Sequence, residues 1–179
     1  GMTSLSLAGD PDYSSLCKSL TMVDIGIYPN QDGSDRIVEF MRSAQNGFSS
    51  LEEAADYISD FLPHREKPKD LSGLHKNLRK KDDRFYWHWD PKFLQGRQGQ
   101  DIREYFGHLE KAANFLNIPT LLIRGGLSDV LTEEDKDYFL KVVSHAEFEE
   151  ISNAAHMVAG DKNDIFSKAV EKFLVKNNS

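Results

Sequence analysis

Apolar residues recur at helical spacing in several stretches of the chain. From Leu51 they fall at Ala54, Ala55, Ile58, Phe61 and Leu62 and stop before Pro63, with Ser49 and Glu52 placed as a capping box at the start. A second stretch, from about Asp101 to Leu116, sets Ile102, Tyr105, Phe106, Leu109, Ala113 and Leu116 on one face. A third follows Thr132, whose hydroxyl can cap it, with Tyr138, Phe139, Val142 and Val143 turned inward. The C-terminal stretch repeats Ile165, Phe166, Ala169, Val170, Phe173 and Leu174 at the same spacing, and Thr3 to Ala8 reads as the tail of another helix. Three shorter apolar runs have strand character: Leu20 to Ile25, Ile118 to Arg124 and Glu147 to Ile151. The first two are nearly continuous rather than alternating, as strands covered on both faces are. Strands separated by helices predict right-handed crossovers and a short parallel sheet of about three strands flanked by helices, an α/β fold. Between Ser34 and Asn114 the pattern gives helices and loops but no strand. Residues 34–114 therefore read as a helical insertion covering one end of a sheet built from residues 2–33 and 115–179.

Composition narrows the classes. The chain has 179 residues, a formal charge of −7 and one cysteine, Cys17. A single cysteine excludes a disulfide framework and a Cys-x-x-Cys zinc site; it reads as a small apolar residue beside the first strand. No run approaches the roughly 18 apolar residues of a membrane span, and the N-terminus lacks a signal-peptide pattern. Gly1 before Met2 resembles the scar of a cleaved tag and is set aside. The expectation is a soluble cytoplasmic protein that uses no metal and no cofactor. Residues 64–84 are locally basic, with eight Lys or Arg against four acids. The aromatics follow that charge, in Phe85 to Trp89, instead of being interleaved with it, so the segment reads as a solvated face and not as a nucleic-acid surface. Trp87, His88 and Trp89 are the candidate substrate-binding wall.

In a parallel α/β sheet, chemistry gathers in the loops that leave the carboxyl ends of the strands. Those loops hold Asp24, the run Arg124 to Asp129, and the run Ser152 to Met157 with His156. An imidazole there acts as general base when a carboxylate fixes its tautomer. The segment Ile118 to Asp129 resembles the seventh strand and acid loop of α/β-hydrolases, Ala155 to Asp164 resembles that family's histidine loop, and Leu20 to Ile25 is similar to its sixth strand. Members described as hydrolases, enol-lactonases or non-haem peroxidases are the nearest in kind. The resemblance covers nearly the whole chain and implies a partial α/β-hydrolase fold with a helical cap. It also implies Asp129 as triad acid, His156 as triad base, and a small ester, lactone or similar substrate. Asp24 ends a strand too and is the alternative acid, although a capping role comes first for it.

The family's nucleophile sits in Gly-x-Ser-x-Gly, a strained strand-to-helix elbow, and this sequence contains no such motif. Gly47 to Leu51 lacks the closing glycine and the preceding strand, and Ser49 is read as a helix cap. The chain opens where the nucleophile loop of the family ends. The expectation is a C-terminal portion that keeps acid and histidine and is inactive alone. The alternative is a non-catalytic or degenerate module that associates with another chain. Either way the strand at Leu20 to Ile25 is left as an open edge, which predicts a homodimer or higher oligomer.

Overall fold

A computed structural model describes residues 1–63, 65–94 and 102–177. It contains two compact units, Gly1–Ser34 with Gln100–Ser179, and Asp35–Gly99.

The first unit is built on a three-stranded parallel sheet in the order β1 (Leu20–Val23), β4 (Thr120–Gly125), β5 (Glu147–Ile151). The register sets Val23 beside Ile123 and Ile123 beside Glu149. The central strand β4 is buried along its whole length, which accounts for its unbroken apolar run. On one face of the sheet, Met22 and Leu122 pack with Leu5 of α1 (Met2–Ala8), Leu109 and Ala113 of α4 (Ile102–Phe115) and Phe139 of α5 (Glu133–Val142). On the other, Leu121, Ile123 and Ile151 pack with Val158 of α6 (Val158–Asp161) and Phe173 of α7 (Asn163–Asn177). The result is an α/β/α sandwich. Thr132 caps α5 through a full capping box with Asp135, as its position predicts.

Helix α4, read from sequence as part of the insertion, packs instead in the core of the first unit. It lies so close to the end of α1 that a Cβ on Gly9 would sit 2.0 Å from the Ala112 carbonyl oxygen. An amphipathic face records that a helix is buried, but not against which body it is buried.

The second unit contains most of α2 (Gln31–Ser43), then α3 (Leu51–Phe61) and an antiparallel hairpin of β2 (Leu78–Lys81) and β3 (Arg84–Trp87). Leu78 is buried with Ala44, Phe48 and Ala54, while Phe40 stacks on Tyr57 and Phe61 at 4.9 and 4.1 Å. The hairpin corrects the expectation that residues 34–114 hold no strand. Charge hid it. The inward face carries Leu78, Phe85 and Trp87, but Lys80 also sits on that face, with its ammonium 5.8 Å from the Phe85 ring centre. That breaks the apolar alternation that marks a strand. The two-residue turn has Asp82 at φ 53°, a conformation that Asp tolerates better than most side chains. A smaller correction concerns α3: its N-cap is Ser50, which accepts from Glu53 N–H at 3.1 Å, while Ser49 N–H donates to the Glu53 carboxylate at 2.6 Å.

Candidate active site

The carboxyl ends of β1, β4 and β5 converge on one buried carboxylate. Asp24 follows the last residue of β1 directly, in the left-handed region at φ 52°, and is 0% exposed. Its backbone N–H still donates to the Ile123 carbonyl at 2.7 Å, so the ladder holds the residue while the turn redirects its side chain. Oδ1 accepts the Gly125 N–H at 2.8 Å. Oδ2 accepts the Ser128 hydroxyl and lies 2.9 Å from His156 Nδ1. Three donors from the two neighbouring strand ends thus satisfy a carboxylate that would otherwise be costly to bury.

Ser128 is the second part of this arrangement. Its oxygen accepts N–H groups from Val130 at 3.1 Å and Leu131 at 3.4 Å, which leaves its proton for Asp24. The loop after β4 is pinned to the loop after β5 by Gly126 N–H to the Ile151 carbonyl at 3.0 Å and Leu127 N–H to the Ala154 carbonyl at 2.8 Å. Gly125 permits that approach, since a Cβ there would lie 2.4 Å from the Ala155 carbonyl oxygen. The histidine loop is fixed from its other side, where Ala155 N–H donates to the Asp161 carboxylate at 2.9 Å.

Asp24 accepts only, so Nδ1 of His156 carries the proton and Nε2 is the basic nitrogen. The imidazole is half-buried, with 38% of its side chain exposed. A buried acid beside a half-buried imidazole of fixed tautomer is an arrangement that can act as a general base.

The resemblance implies Asp129 as the acid, with Asp24, at a strand end, as the alternative acid or a cap. In the structure His156 Nδ1 donates its hydrogen bond to Asp24. Asp129 lies between Ser128 and Val130, where the Val130 carbonyl accepts Asn30 N–H at 3.2 Å. Trp87, His88 and Trp89 lie in the second unit, where all three line a cleft of about 490 Å³. His88 Nδ1 is 3.0 Å from the Asn77 carbonyl, and Trp87 meets Phe48 edge-on at 5.5 Å. Among the described residues no group of three His, Cys, Asp or Glu is placed to hold a metal ion, and no helix is long and apolar enough to cross a membrane.

A second polar cluster in the first unit braces the same loop from below. Tyr28, four residues beyond Asp24, donates to Glu110 at 2.6 Å, and Tyr138 donates to the other oxygen of the same carboxylate. Burial, reinforced by that hydrogen bond, pushes the Tyr28 phenol up to about 12. The hydrogen bonds from Tyr138 and then Tyr28 hold Glu110 below the usual carboxylate range.

No protein-family model matches the sequence, and no curated protein is significantly similar to it in sequence. Solved structures do match. E-2-(acetamidomethylene)succinate hydrolase superposes with a TM-score of 0.79 at 16% identity, over 96% of this chain and 62% of its own. An esterase of Mycobacterium tuberculosis gives 0.73 at 24% identity, over 97% and 57%. An α/β hydrolase of Novosphingobium aromaticivorans gives 0.71 at 17% identity, over 97% and 62%. The chain has an α/β-hydrolase-like fold. It spans about three fifths of the length of these structures, and its three parallel strands with flanking helices are a partial version of that fold. In α/β-hydrolases the triad runs Ser, acid, His along the chain. Asp24 before His156 keeps that order, and so does Asp129, so chain order does not discriminate between the two acids.

Proposed function

We propose that Asp24 and His156 are the acid and the general base of a Ser-His-Asp hydrolase acting on a small ester, lactone or similar substrate. The observation that carries this reading is the 2.9 Å contact between His156 Nδ1 and a fully buried carboxylate at the carboxyl end of a parallel sheet. The neighbouring folds, among them hydrolases and an esterase, support the reaction class. In the proposed reaction, Nε2 takes the proton of an attacking serine hydroxyl, and Asp24 stabilises the imidazolium that forms. No Gly-x-Ser-x-Gly occurs in this sequence, so the 179 residues alone supply the base without the group it serves.

The test is to read the coding frame upstream of Met2, express the extended protein, and assay both forms with p-nitrophenyl esters. An in-frame nucleophile elbow is expected. The extended form should hydrolyse the ester, with kcat/KM lower by roughly 10³–10⁴ in Asp24→Asn and in His156→Ala. The 179-residue chain should show no turnover that depends on His156. Ester hydrolysis by the short chain that disappears in His156→Ala contradicts its inactivity. Equal activity of the extended wild type and the two variants overturns the reading.

The partner proposal rests on β1. In the described residues its outer edge pairs with no strand, and Leu20 and Met22 are already committed to the core beneath it. Such an edge offers a ladder of backbone groups to another strand, and a second copy of the chain is the proposed partner. Sedimentation should show a dimer or larger species; a monodisperse monomer at micromolar concentration rules the pairing out.

A further inference from the structure

We propose that the cleft on the second unit binds a small organic anion with a flat apolar body, such as an aryl carboxylate or an aryl phosphate. This inference stands on the second unit alone and is independent of the hydrolase proposal.

The hairpin register separates two kinds of cation. Arg79 lies opposite Tyr86 and Lys81 opposite Arg84, so these four share the outward face. Arg84 is committed: its Nε donates to the Asn46 carbonyl at 2.9 Å and its Nη2 to the Gly47 carbonyl at 2.6 Å. Arg79 and Lys81 are exposed and line the cleft, and their side chains make no ion pair or hydrogen bond with any described residue. The one acid in the lining, Asp90, turns an oxygen back to Lys92 N–H at 2.9 Å. Two neighbouring cations on one face of the hairpin favour an anion beside them. The wider charge distribution agrees: residues 35–99 hold 12 Lys or Arg against 11 Asp or Glu, a net +1, and the rest of the chain carries −8.

The aromatic lining adds the second half of the specificity. Trp87, Trp89 and Tyr86 border the cleft. The ring faces along this lining suit a flat body. The volume of about 490 Å³ lies inside the range of small-ligand sites. A long polyanion is disfavoured, because the net charge of −7 on the whole chain repels a phosphate backbone away from this one face.

The chain has only two tryptophans, and both line the cleft, so intrinsic fluorescence of the full chain reports on this site alone. Benzoate and phenyl phosphate should each give a saturable change in tryptophan emission, with line broadening of the ligand in proton NMR as a second readout. Benzamide, the neutral counterpart of benzoate, and inorganic phosphate, which lacks the ring, should bind about tenfold more weakly or worse. The double variant R79A/K81A should weaken benzoate by about tenfold or more, and R79Q/K81Q, which keeps the side-chain length, should do the same. Both positions are exposed on the hairpin, so thermal unfolding should be unchanged in either variant. Equal affinity for benzamide and benzoate overturns the proposal, as does unchanged benzoate binding in both double variants or the absence of saturation in both readouts. Tighter binding of a single-stranded oligonucleotide than of either aryl anion also overturns it, in favour of a nucleic-acid surface.

Discussion

Replacing Asp24 by alanine should lower the free energy of unfolding by roughly 3–5 kcal/mol, the range for breaking a buried charge-assisted network by removing one partner. Asp24 is 0% exposed, and its two oxygens accept from Gly125, Ser128 and His156. Removing them strands three donors at once. The Gly125 N–H is fully enclosed, and Ser128 has already committed its lone pairs to Val130 and Leu131. The backbone adds to the cost, because φ 52° is a conformation that alanine tolerates less well than aspartate. Asp24→Asn keeps the shape and one acceptor but presents an N–H₂ to donors, so its loss should be smaller. Urea unfolding at neutral pH measures both. A loss below about 1 kcal/mol for Asp24→Ala, the size of an ordinary surface substitution, would mean that the network contributes little to the fold.

The second large effect is expected in alkali. The Tyr28 phenol titrates near 12 in the folded protein against 10.0 for the free side chain. The folded state therefore holds that proton more tightly. Its contribution is fully present below pH 10 and is lost as pH rises from 10 through about 12. Ionising Tyr28 sets a phenolate against the Glu110 carboxylate that it now donates to, on the loop that carries Asp24 four residues earlier. The window contributes about 1–2 kcal/mol once solvent screening of this part-buried group is allowed for. The clean measurement is a difference: the stability gap between wild type and Tyr28→Phe, followed by urea unfolding from pH 9 to 12, should narrow by that amount. Parallel curves would place the origin of alkaline instability elsewhere. Glu110 works in the opposite sense, since its folded-state affinity for protons is reduced. Its contribution is present above the usual carboxylate value and is lost as pH falls through its lowered value.

Much of the core was legible because burial on a helix or a parallel strand leaves a period in the sequence. The runs at Leu20, Ile118 and Glu147 became β1, β4 and β5, and the faces around Phe139 and Phe173 are the ones that bury. The β2–β3 hairpin was not legible, because Lys80 shares the face of Leu78, Phe85 and Trp87, with its ammonium over the Phe85 ring, so the apolar alternation is broken. The allegiance of α4 was hidden for another reason: which body covers Leu109 and Ala113 is decided by tertiary packing. At the site, the place of His156 after the last strand is what marks it in the sequence as a candidate base. The acid was harder, because Asp24 and Asp129 both leave the carboxyl end of the sheet and both precede the histidine in the chain. What distinguishes them is a single left-handed residue that turns the Asp24 side chain toward Gly125 and the histidine loop. A charged residue directly abutting an apolar strand is the one signal of this in the sequence. Ser128, whose hydroxyl joins the two loops, left no signal apart from its position beside Asp129.

The central claim is that Asp24 is the carboxylate that sets the protonation of His156, and imidazole nitrogen NMR on ¹⁵N-histidine-labelled protein addresses it most directly. In the wild-type chain at pH 8, His156 should show a protonated Nδ1 with a downfield, hydrogen-bonded proton and an unprotonated Nε2. Asp24→Asn should abolish that proton resonance and shift the population toward the other tautomer, while Asp129→Asn leaves both signals in place. Loss of the resonance in Asp129→Asn together with its survival in Asp24→Asn would contradict the account.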